Sequence, residues 1–425
     1  MKSQLSRLLT LSVAAVAASA LSVGCGGGGG SGDRQALVLA LAQFAAGGKG
    51  QAPKPLPAGL EFLVEQDDGS WKLHTADDPE SNVFHKAMVY RGGAGGEGES
   101  ARLLTAGGTA AALKLWKRGA DGKLVVDQTI WKKDFGGKFS RMRDVEVADL
   151  FGDGKASMAV ATHDQGVVAT VRPDRGGGFT VTEIDAEPDT FVHEIEIGDV
   201  NGDGNLEVYA TPSEPNRLDG SVQTGFVVRY VPKTGEGRVV VADLGDRHAK
   251  EILVHDVDGD GRDELYVVVE GHLDAETSTL KHPVEIRRYD ADTDPKEGVV
   301  IAEIRDRLCR FLTPGDVDGD GKKELVAAAF QSGLWLLRPG EPGKKWKATS
   351  IDRNSGGFEH AAILADLDGD GGDELYVASD KHNEVRRYVW DGKKLAREVI
   401  YKRKAGGGVF TWNLMPVPTS LVPTP

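Results

Sequence analysis

A nine-residue pattern of acidic and glycine residues occurs five times between residues 149 and 374. Its fullest form, Asp256-Val-Asp-Gly-Asp-Gly-Arg-Asp-Glu264, has acids at positions 1, 3, 5 and 9 and glycine at positions 4 and 6. Oxygen ligands at positions 1, 3 and 5 converge because glycine at position 6 permits a sharp turn, and the position-7 carbonyl and position-9 acid add further oxygens. A carboxylate-rich, all-oxygen set is typical of calcium rather than zinc or copper, and a flexible loop suits calcium better than magnesium.

Four copies are complete, so we predict about four calcium ions, one for each complete loop. The predicted ligands, with position 7 acting through its carbonyl, are Asp199, Asn201, Asp203, Asn205 and Glu207; Asp256, Asp258, Asp260, Arg262 and Glu264; Asp316, Asp318, Asp320, Lys322 and Glu324; and Asp366, Asp368, Asp370, Gly372 and Glu374. An acidic turn without metal is the alternative for any one loop, and the near-identity of the four copies argues against it for the whole set.

The fifth copy, which begins at Asp149 and retains Asp153, is incomplete. Phe151 replaces the ligand at position 3, and Ser157 replaces the acid at position 9. We therefore expect a weak or empty metal site in this copy.

The residues around the loops predict repeated β-strands. Each complete loop is followed by an apolar run such as Leu265–Val269, which is mostly β-type and too short for a packed helix. An EF-hand instead carries its acid at position 12 and continues into a helix. The loops begin at residues 149, 199, 256, 316 and 366, which gives a repeat of 50 to 60 residues. Common propeller blades have roughly 40–50 residues and four strands.

The repeated loop and strand resemble the FG-GAP/VCBS repeat family, whose calcium loops occur in the propeller blades of integrin alpha subunits and many bacterial surface proteins. The resemblance covers roughly residues 60–418. It implies an all-β propeller with calcium held between the strands of each blade. It implies no single activity, because propellers include binding proteins, lyases and scaffolds.

The strand pattern predicts seven blades of four antiparallel strands, with six and eight as alternatives. Phe84–Tyr90 aligns with a first strand and is followed by a glycine-rich loop without the acids. Val409–Pro416 aligns with another first strand, and Leu60–Val64 and Ser70–His74 can supply outer strands for the same blade. Closure by both termini removes the exposed sheet edge. We therefore assign residues 59–418 to the propeller and residues 419–425 to a C-terminal tail.

The N-terminal residues 1–24 are typical of a secretory signal peptide. Lys2 and Arg7 precede the apolar run Leu8–Val23, which is short for a membrane span. The segment Leu21-Ser-Val-Gly-Cys25 resembles a bacterial lipobox, although the leucine stands one position early. That resemblance implies lipidation at Cys25, and ordinary cleavage that leaves a free cysteine is the alternative.

The following residues, 25–58, are rich in glycine, alanine and proline, and we interpret them as a flexible tether. Because Gly26 stands where an aspartate would retain a lipoprotein in the inner membrane, the lipobox resemblance implies the outer membrane of the bacterial envelope. With Cys25 acylated, Cys309 has no partner in the chain, so we expect no internal disulfide.

The formal net charge of −14 does not by itself indicate a binding partner. The four complete loops contribute 15 carboxylates at positions 1, 3, 5 and 9, so much of this acidity belongs to the predicted metal sites. The negative net charge does argue against nucleic acid as a ligand.

A basic residue stands six positions before the first residue of every loop, including the acid-free loop that begins at Arg91. These residues are His85, Arg143, His193, Lys250, Arg310 and His360. Because the first strand of a blade lines the central channel, they predict a ring that forms a positive funnel for an anionic ligand such as an acidic glycan. Salt bridges to the neighbouring acids Asp144, Glu194 and Glu251 are the structural alternative.

The sequence contains no nucleophile elbow or zinc-protease motif, and we assign no catalytic residue. The patterns favour a lipid-anchored, calcium-binding surface or adhesion module. One alternative is a polysaccharide lyase or related carbohydrate enzyme that uses the channel cations and a histidine or lysine base. A second alternative is a structural or protein-docking scaffold, which would bind no glycan.

Overall fold

The computed structural model describes residues 34–45, 53–92, 100–136, 140–217, 222–274, 276–341, 343–404 and 408–424. This part of the chain contains 31 β-strands and two short 3-10 turns, Asp380–His382 and Thr419–Leu421. Within these ranges, no helix has the length and apolar character needed to cross a membrane.

The strands form seven small antiparallel sheets in a ring, so the predicted seven-bladed β-propeller is confirmed. The first strands of the chain are β1 (Gln35–Ala45), β2 (Lys54–Pro55), β3 (Ala58–Glu65) and β4 (Trp71–Asp78). Blade 1 contains β5 (Phe84–Tyr90), β6 (Arg102–Gly107), β7 (Ala111–Arg118) and β8 (Leu124–Lys133). Blade 2 contains β9 (Met142–Ala148), β10 (Ser157–Thr162), β11 (Val167–Pro173) and β12 (Phe179–Ala186). Blade 3 contains β13 (Phe191–Gly198), β14 (Glu207–Ser213), β15 (Phe226–Val231) and β16 (Glu236–Asp243).

The remaining blades follow in chain order. Blade 4 contains β17 (Ala249–His255), β18 (Glu264–Val269), β21 (Val284–Tyr289) and β22 (Val299–Ile304), with the small hairpin β19 (His272–Leu273) and β20 (Leu280–His282) inserted. Blade 5 contains β23 (Cys309–Gly315), β24 (Glu324–Ala329), β25 (Leu334–Arg338) and β26 (Lys347–Asp352). Blade 6 contains β27 (Ala362–Ala365), β28 (Glu374–Ser379), β29 (Glu384–Trp390) and β30 (Leu395–Lys402). The last strand is β31 (Gly408–Pro418).

Blade 7 joins the two ends of the described chain. The strand β31 pairs antiparallel with β1, with Val38 opposite Met415, and β3 and β4 complete the sheet outward. The pairing that the sequence predicted between the last strand and the N-terminal strands is therefore present.

The predicted tether is wrong from Gln35 onward. Leu37, Val38 and Leu39 are fully buried within β1, which is the second strand of blade 7. A continuous apolar run of this kind marks a strand that is covered on both faces, and its high alanine content does not make it a linker. The predicted tail is also wrong for its described part, because Leu421 and Val422 pack against Trp116 of blade 1.

Apolar side chains fill the spaces between neighbouring blades. Between blades 3 and 4, for example, Tyr209 and Val227 pack with Val254 and Val267 in one buried cluster. The outermost strands are more exposed, as in β16, where Val239 and Val240 face solvent in part. The inner three strands of each blade thus carry the core that holds the ring together.

The propeller has two chemically distinct faces. In blades 2 to 6 the acidic loops connect the innermost strand to the second strand, so all five lie on the face where the innermost strands end. We call this the loop face. The opposite face, where the innermost strands begin and the second strands end, is called the entry face.

Candidate functional site

The first aspartate of each acidic loop holds the loop backbone in place. Asp256 Oδ1 accepts hydrogen bonds from the backbone N–H groups of Gly259 (2.7 Å) and Asp260 (3.1 Å), and Oδ2 accepts one from Gly261 (3.0 Å). Gly261 has φ of +90°, a conformation that favours glycine at position 6. Equivalent backbone bonds occur at Asp149, Asp199, Asp316 and Asp366.

Three of the loops bring carboxylates together within the described residues, with their ligand oxygens all within 4.8 Å of one another. The groups are Asp256, Asp258, Asp260 and Glu264; Asp366, Asp368, Asp370 and Glu374; and Asp316, Asp318 and Asp320. A set of three or four carboxylates at this spacing fits a hard divalent cation such as calcium.

Glu324 stands outside the group of three aspartates in its loop and pairs with an arginine. Arg338 Nη1 lies 2.8 Å from Glu324 Oε1 and 2.8 Å from Asp318 Oδ2. The third strand of blade 4 also carries an arginine, Arg288, which stands two positions earlier in the strand pairing than Arg338 and lies 2.6 Å from Asp258 and 3.3 Å from Glu264. A guanidinium from the third strand therefore compensates part of the ligand charge in both blades.

The loop of blade 3 is arranged differently. Asn201 Nδ2 donates a hydrogen bond to Glu207 Oε1 (2.9 Å), and Arg229 Nη1 lies 2.9 Å from the same oxygen. The loop contributes no group of three acids among the described residues. Calcium binding by Asp199, Asn201, Asp203, Asn205 and Glu207 stays a prediction.

The position-9 glutamates lie in the interior of the blade. Glu264 is 2% exposed and accepts hydrogen bonds from Tyr266 Oη (2.7 Å) and the backbone N–H of Val257 (3.4 Å). Burial raises the pKa of Glu264, Glu324 and Glu374 to about 7 in each case. A cation at these loops would therefore displace protons when it binds.

In the incomplete loop of blade 2, an arginine and an aromatic ring lie beside the remaining aspartates. Arg172 Nη2 lies 2.7 Å from Asp153 Oδ2, and its guanidinium stacks over Phe151 at 4.6 Å. Ser157 is fully buried. Asp149 and Asp153 therefore form no group of three carboxylates in the described part of the chain.

On the entry face, the structure brings together the lysine and the two arginines of the predicted ring. Lys250 Nζ lies 3.6 Å from Glu270, and Arg310 Nε lies 3.0 Å from the same glutamate. Glu359 accepts from Arg310 Nη1 (2.9 Å) and lies 3.7 Å from Arg143 Nη2. Since Arg143 belongs to blade 2 and Arg310 to blade 5, their shared partner lies at the axis of the channel.

The predicted positive funnel does not form, because two buried glutamates compensate the cations. Burial opposes ionisation of Glu270, but Lys250 and Arg310 outweigh it and hold its pKa below the usual value. Burial lowers the pKa of Lys250 to about 8. The partners also differ from the predicted salt-bridge alternative, because Glu270 and Glu359 replace Glu194 and Glu251.

The three histidines of the ring are hydrogen-bonded and neutral. His360 Nδ1 bonds the carbonyl of Ala329 (2.7 Å) and Nε2 bonds Ser355 Oγ (2.8 Å), and burial lowers the His360 pKa to about 4. Burial also holds the pKa of His85 and His193 well below the usual 6.5, with help from Arg143 at both positions. Half of the predicted basic groups therefore carry no charge near pH 7.

Deeper in the channel, the same strands carry acids. Lys86 Nζ lies 2.9 Å from Asp144 and also contacts Glu146. Burial raises the pKa of the surrounding Glu194, Glu196 and Glu251 well above the usual value. Asp144 and Glu251 also join blades, since they accept the backbone N–H groups of Ile195 (2.9 Å) and Leu312 (2.8 Å).

Sequence reasoning missed a second set of residues on the entry face, which lie at the ends of the second strands or directly after them. They stand fourteen positions after the first residue of each acidic loop and are His163, Ser213, Glu270, Phe330 and Asp380. The signal was a second repeated register in the same repeats, with polar or aromatic residues where the apolar strand ends. It could have been found by aligning the repeats past the strand.

Comparison with known proteins supports the repeat and the fold. Residues 316–377 match the family model of the FG-GAP-like repeat, so the resemblance to this family is confirmed there. No curated protein sequence matches the chain.

Several solved structures share the fold. A structure described as a putative 6-phosphogluconolactonase from Bacteroides uniformis ATCC 8492 has 14% identity and a TM-score of 0.55, covering 91% of this chain and 100% of that chain. Another with this description, from Bacteroides fragilis NCTC 9343, has 13% identity and a TM-score of 0.51, with 91% and 98% covered. A protein from Lactobacillus plantarum has 9% identity and a TM-score of 0.53, with 90% and 99% covered. At such identities the likeness concerns the fold alone.

Proposed function

We propose that this protein is an exported, lipid-anchored, calcium-binding β-propeller that acts as a binding module at the bacterial cell envelope. The observation that carries the proposal is the recurrence of one carboxylate group in the same loop of three blades. A lone acidic cluster is common on protein surfaces, but three at equivalent positions, each held by the same backbone hydrogen bonds, indicate a shared ligand. The propeller fold and the FG-GAP-like match support a binding role in general.

Calcium would be held by Asp256, Asp258, Asp260 and Glu264 in blade 4, and by the equivalent residues in blades 5 and 6. When bound, it would supply positive charge to three or four carboxylates that otherwise repel one another. The first aspartate already fixes the loop, so the ion would add a link between the innermost strand and the second strand. The expected effect is a more rigid blade rather than a chemical reaction.

The calcium proposal is tested by thermal unfolding in excess calcium and in chelator. Each independent site adds RT ln(1 + [L]/Kd), about 2.7 kcal/mol at a calcium concentration one hundred times Kd. Asp260→Ala and Asp320→Ala, both at position 5, should each remove part of the shift in melting temperature. Asp153→Ala is the matched control, because it stands at position 5 of the incomplete loop. Identical melting temperatures with calcium and with chelator contradict the proposal.

The anchor is proposed at Cys25, which lies outside the described residues. Cys25→Ser should release the protein from the membrane fraction, because the cysteine is the residue that lipidation requires. If the variant stays membrane-bound and unprocessed, then Leu8–Val23 acts as a membrane span and the lipobox interpretation is wrong. Only nine residues separate Cys25 from Gln35, the first residue of blade 7, so the anchor would keep the propeller close to the membrane.

The binding surface is placed at the entry-face mouth of the channel. The loop face is occupied by groups whose charge is matched to metal ions or arginines. The entry face combines aromatic rings, a charge-compensated network and neutral histidines, which is a composition suited to selective binding of a polar molecule.

A further inference from the structure

Five polar side-chain atoms on the entry face have no hydrogen-bond partner among the described residues. They are His85 Nε2, Arg143 Nε, Asp164 Oδ2, His193 Nδ1 and Trp412 Nε1. The side chains of the first four belong to residues that are 2%, 7%, 8% and 1% exposed, respectively. Buried polar atoms in folded proteins are almost always paired, so five in one region indicate that a further group pairs with them.

These side chains form one connected group at the channel wall. The His85 ring lies 4.7 Å from the Trp412 ring, and the Arg143 guanidinium lies 5.1 Å from the same indole. On the other side, the His163 ring lies 6.3 Å from His85 and 5.1 Å from His193, and His163 is hydrogen-bonded to Asp164. The unpaired atoms come from blades 7, 1, 2 and 3, which are consecutive around the ring.

The hydrogen-bond roles of the histidines follow from their second nitrogens. His85 Nδ1 donates to the carbonyl of Met142 (2.7 Å), so Nε2 of the neutral ring is an acceptor. His193 Nε2 donates to Asn216 Oδ1 (3.0 Å), so its Nδ1 is likewise an acceptor. Neutrality of both rings agrees with their lowered pKa values.

The five atoms therefore form a mixed set of donors and acceptors. Three are acceptors, namely the two histidine nitrogens and the Asp164 carboxylate oxygen. Two are donors, namely Arg143 Nε–H and Trp412 Nε1–H. The half-buried rings of Trp412 and Phe191 add apolar surface beside them, and Phe191 lies 4.5 Å from His163.

This set discriminates between classes of ligand. A fully ionised anion has no hydrogen to donate to the three acceptors and would face the Asp164 carboxylate. A metal cation cannot accept from Arg143 or Trp412 and would lie beside the arginine charge. A hydroxyl group both donates and accepts, and the carbon skeleton of a sugar ring can rest on an indole.

We propose that the entry-face mouth binds adjacent hydroxyl groups of a neutral sugar between His85, His193, Asp164, Arg143 and Trp412. This deepens the proposed binding function by naming the ligand class of the same face, and it replaces the anionic ligand expected from the sequence. Because the proposed calcium sites lie on the opposite face, the two proposals fail independently.

The test is a titration of the calcium-loaded full chain with D-galactose, D-glucose and D-mannose, in which saturation-transfer NMR measures binding. D-Galacturonate, which carries a carboxylate in place of the hydroxymethyl group of D-galactose, is titrated in parallel. We expect saturable binding of a neutral sugar at millimolar Kd, with the uronate no tighter than its neutral match. Asp164→Asn and His85→Phe should weaken that binding about tenfold or more, because the first exchanges an acceptor oxygen for an amide donor and the second removes an acceptor nitrogen.

Asp153→Asn is the matched control on the loop face and should leave sugar binding unchanged. If Asp164→Asn fails to fold, Trp412→Phe, at a half-buried position, takes its place and should also weaken binding. Tighter binding of D-galacturonate than of D-galactose, unchanged affinity in the folded variants, or no binding of any sugar overturns the inference. A calcium-dependent melting shift in the same preparations shows whether the calcium proposal stands when the sugar proposal fails.

Discussion

The acidic loops of blades 4 and 2 share the same backbone hydrogen bonds but differ in the side chains at the predicted ligand positions. Asp256 and Asp149 each accept hydrogen bonds from the backbone N–H groups at positions 5 and 6 of their loops. In blade 4 the remaining positions bring four carboxylates together. In blade 2, Phe151 and Ser157 replace two of them, and Arg172 pairs with Asp153, one of the two aspartates that are left.

The difference shows that the loop keeps its shape without a complete set of carboxylates. The first aspartate satisfies backbone donors whether or not an ion is bound, so the blade can keep its turn after losing its ligands. In blade 2 the arginine supplies the positive charge that calcium would supply in blade 4. Degeneration of a repeat can therefore remove carboxylates from a loop without disturbing the propeller.

The largest effect is expected from substituting the first aspartate in both loops. Asp149→Ala should cost about 1–3 kcal/mol in any buffer, because it leaves backbone donors unpaired. Asp256→Ala should cost a similar amount in chelator and about 2.7 kcal/mol more when calcium is at one hundred times Kd. Urea unfolding in the two buffers measures both, and an equal calcium-dependent loss in the two variants contradicts the comparison.

A second effect concerns pH. The folded-state pKa of Glu264, Glu324 and Glu374 is raised to about 7, so in chelator the stability from these groups is present below about 4.5 and is lost as pH rises through 7. Calcium must displace those protons, so the calcium-dependent melting shift should grow between pH 5.5 and pH 8. Asp260→Ala should reduce the change of the calcium-dependent melting shift with pH. A calcium-dependent melting shift that stays constant from pH 5.5 to pH 8 argues against these glutamates as ligands.

A third, smaller effect is a gain of binding in blade 2. Phe151→Asp with Ser157→Glu restores the acids of the complete loop, and Ala159 stands where Tyr209, Tyr266 and Tyr376 stand in other blades, which leaves volume for the new glutamate. Calorimetry should detect one additional calcium ion, bound more weakly than in blade 4 because the tyrosine hydrogen bond is missing. Phe151→Asn with Ser157→Gln is the uncharged control, and unchanged stoichiometry in the acidic variant contradicts the prediction.

The smallest effect is a difference in calcium affinity between substitutions of two arginines. Arg288 contacts Asp258 and Glu264, whereas Arg387 pairs with Glu398 (3.0 Å) and Glu65 (3.5 Å) outside its loop. Arg288→Met should raise the calcium affinity of blade 4 by no more than about fivefold, in keeping with a partly exposed ion pair. Arg387→Met should not change the affinity of blade 6, and a decrease in the Arg288 variant would show that the arginine orients the ligands instead.

Much of the fold could be predicted from the sequence because each repeat carries local instructions. Gly259 and Gly261 permit the loop, Asp256 fixes it, and the apolar run after Glu264 is a buried strand. Blade 7 was harder, because β1 has no acidic loop and its composition is close to that of a linker. Its apolar residues, Leu37 to Leu41, carried the signal of a core strand, but we interpreted the segment as a tether.

The entry face shows the limit of such reasoning. The register of Arg143, Lys250 and Arg310 identified residues that meet in space, but the glutamates that compensate them come from other strands and other blades. Glu270 follows a second strand and Glu359 precedes a first strand. Neither position can be paired with Arg310 from sequence spacing, because the contact exists only once the ring has closed.

The sequence by itself determined the repeated strands and the acidic loops, because these depend on turns and strands formed by residues that are neighbours along the chain. The tertiary structure alone decided which charges are free. Closing the ring buries His85 and His193 until they are neutral, and it places Glu270 and Glu359 between the channel cations. Burial and long-range pairing set the charge of a buried group, and both depend on residues brought together from distant parts of the chain.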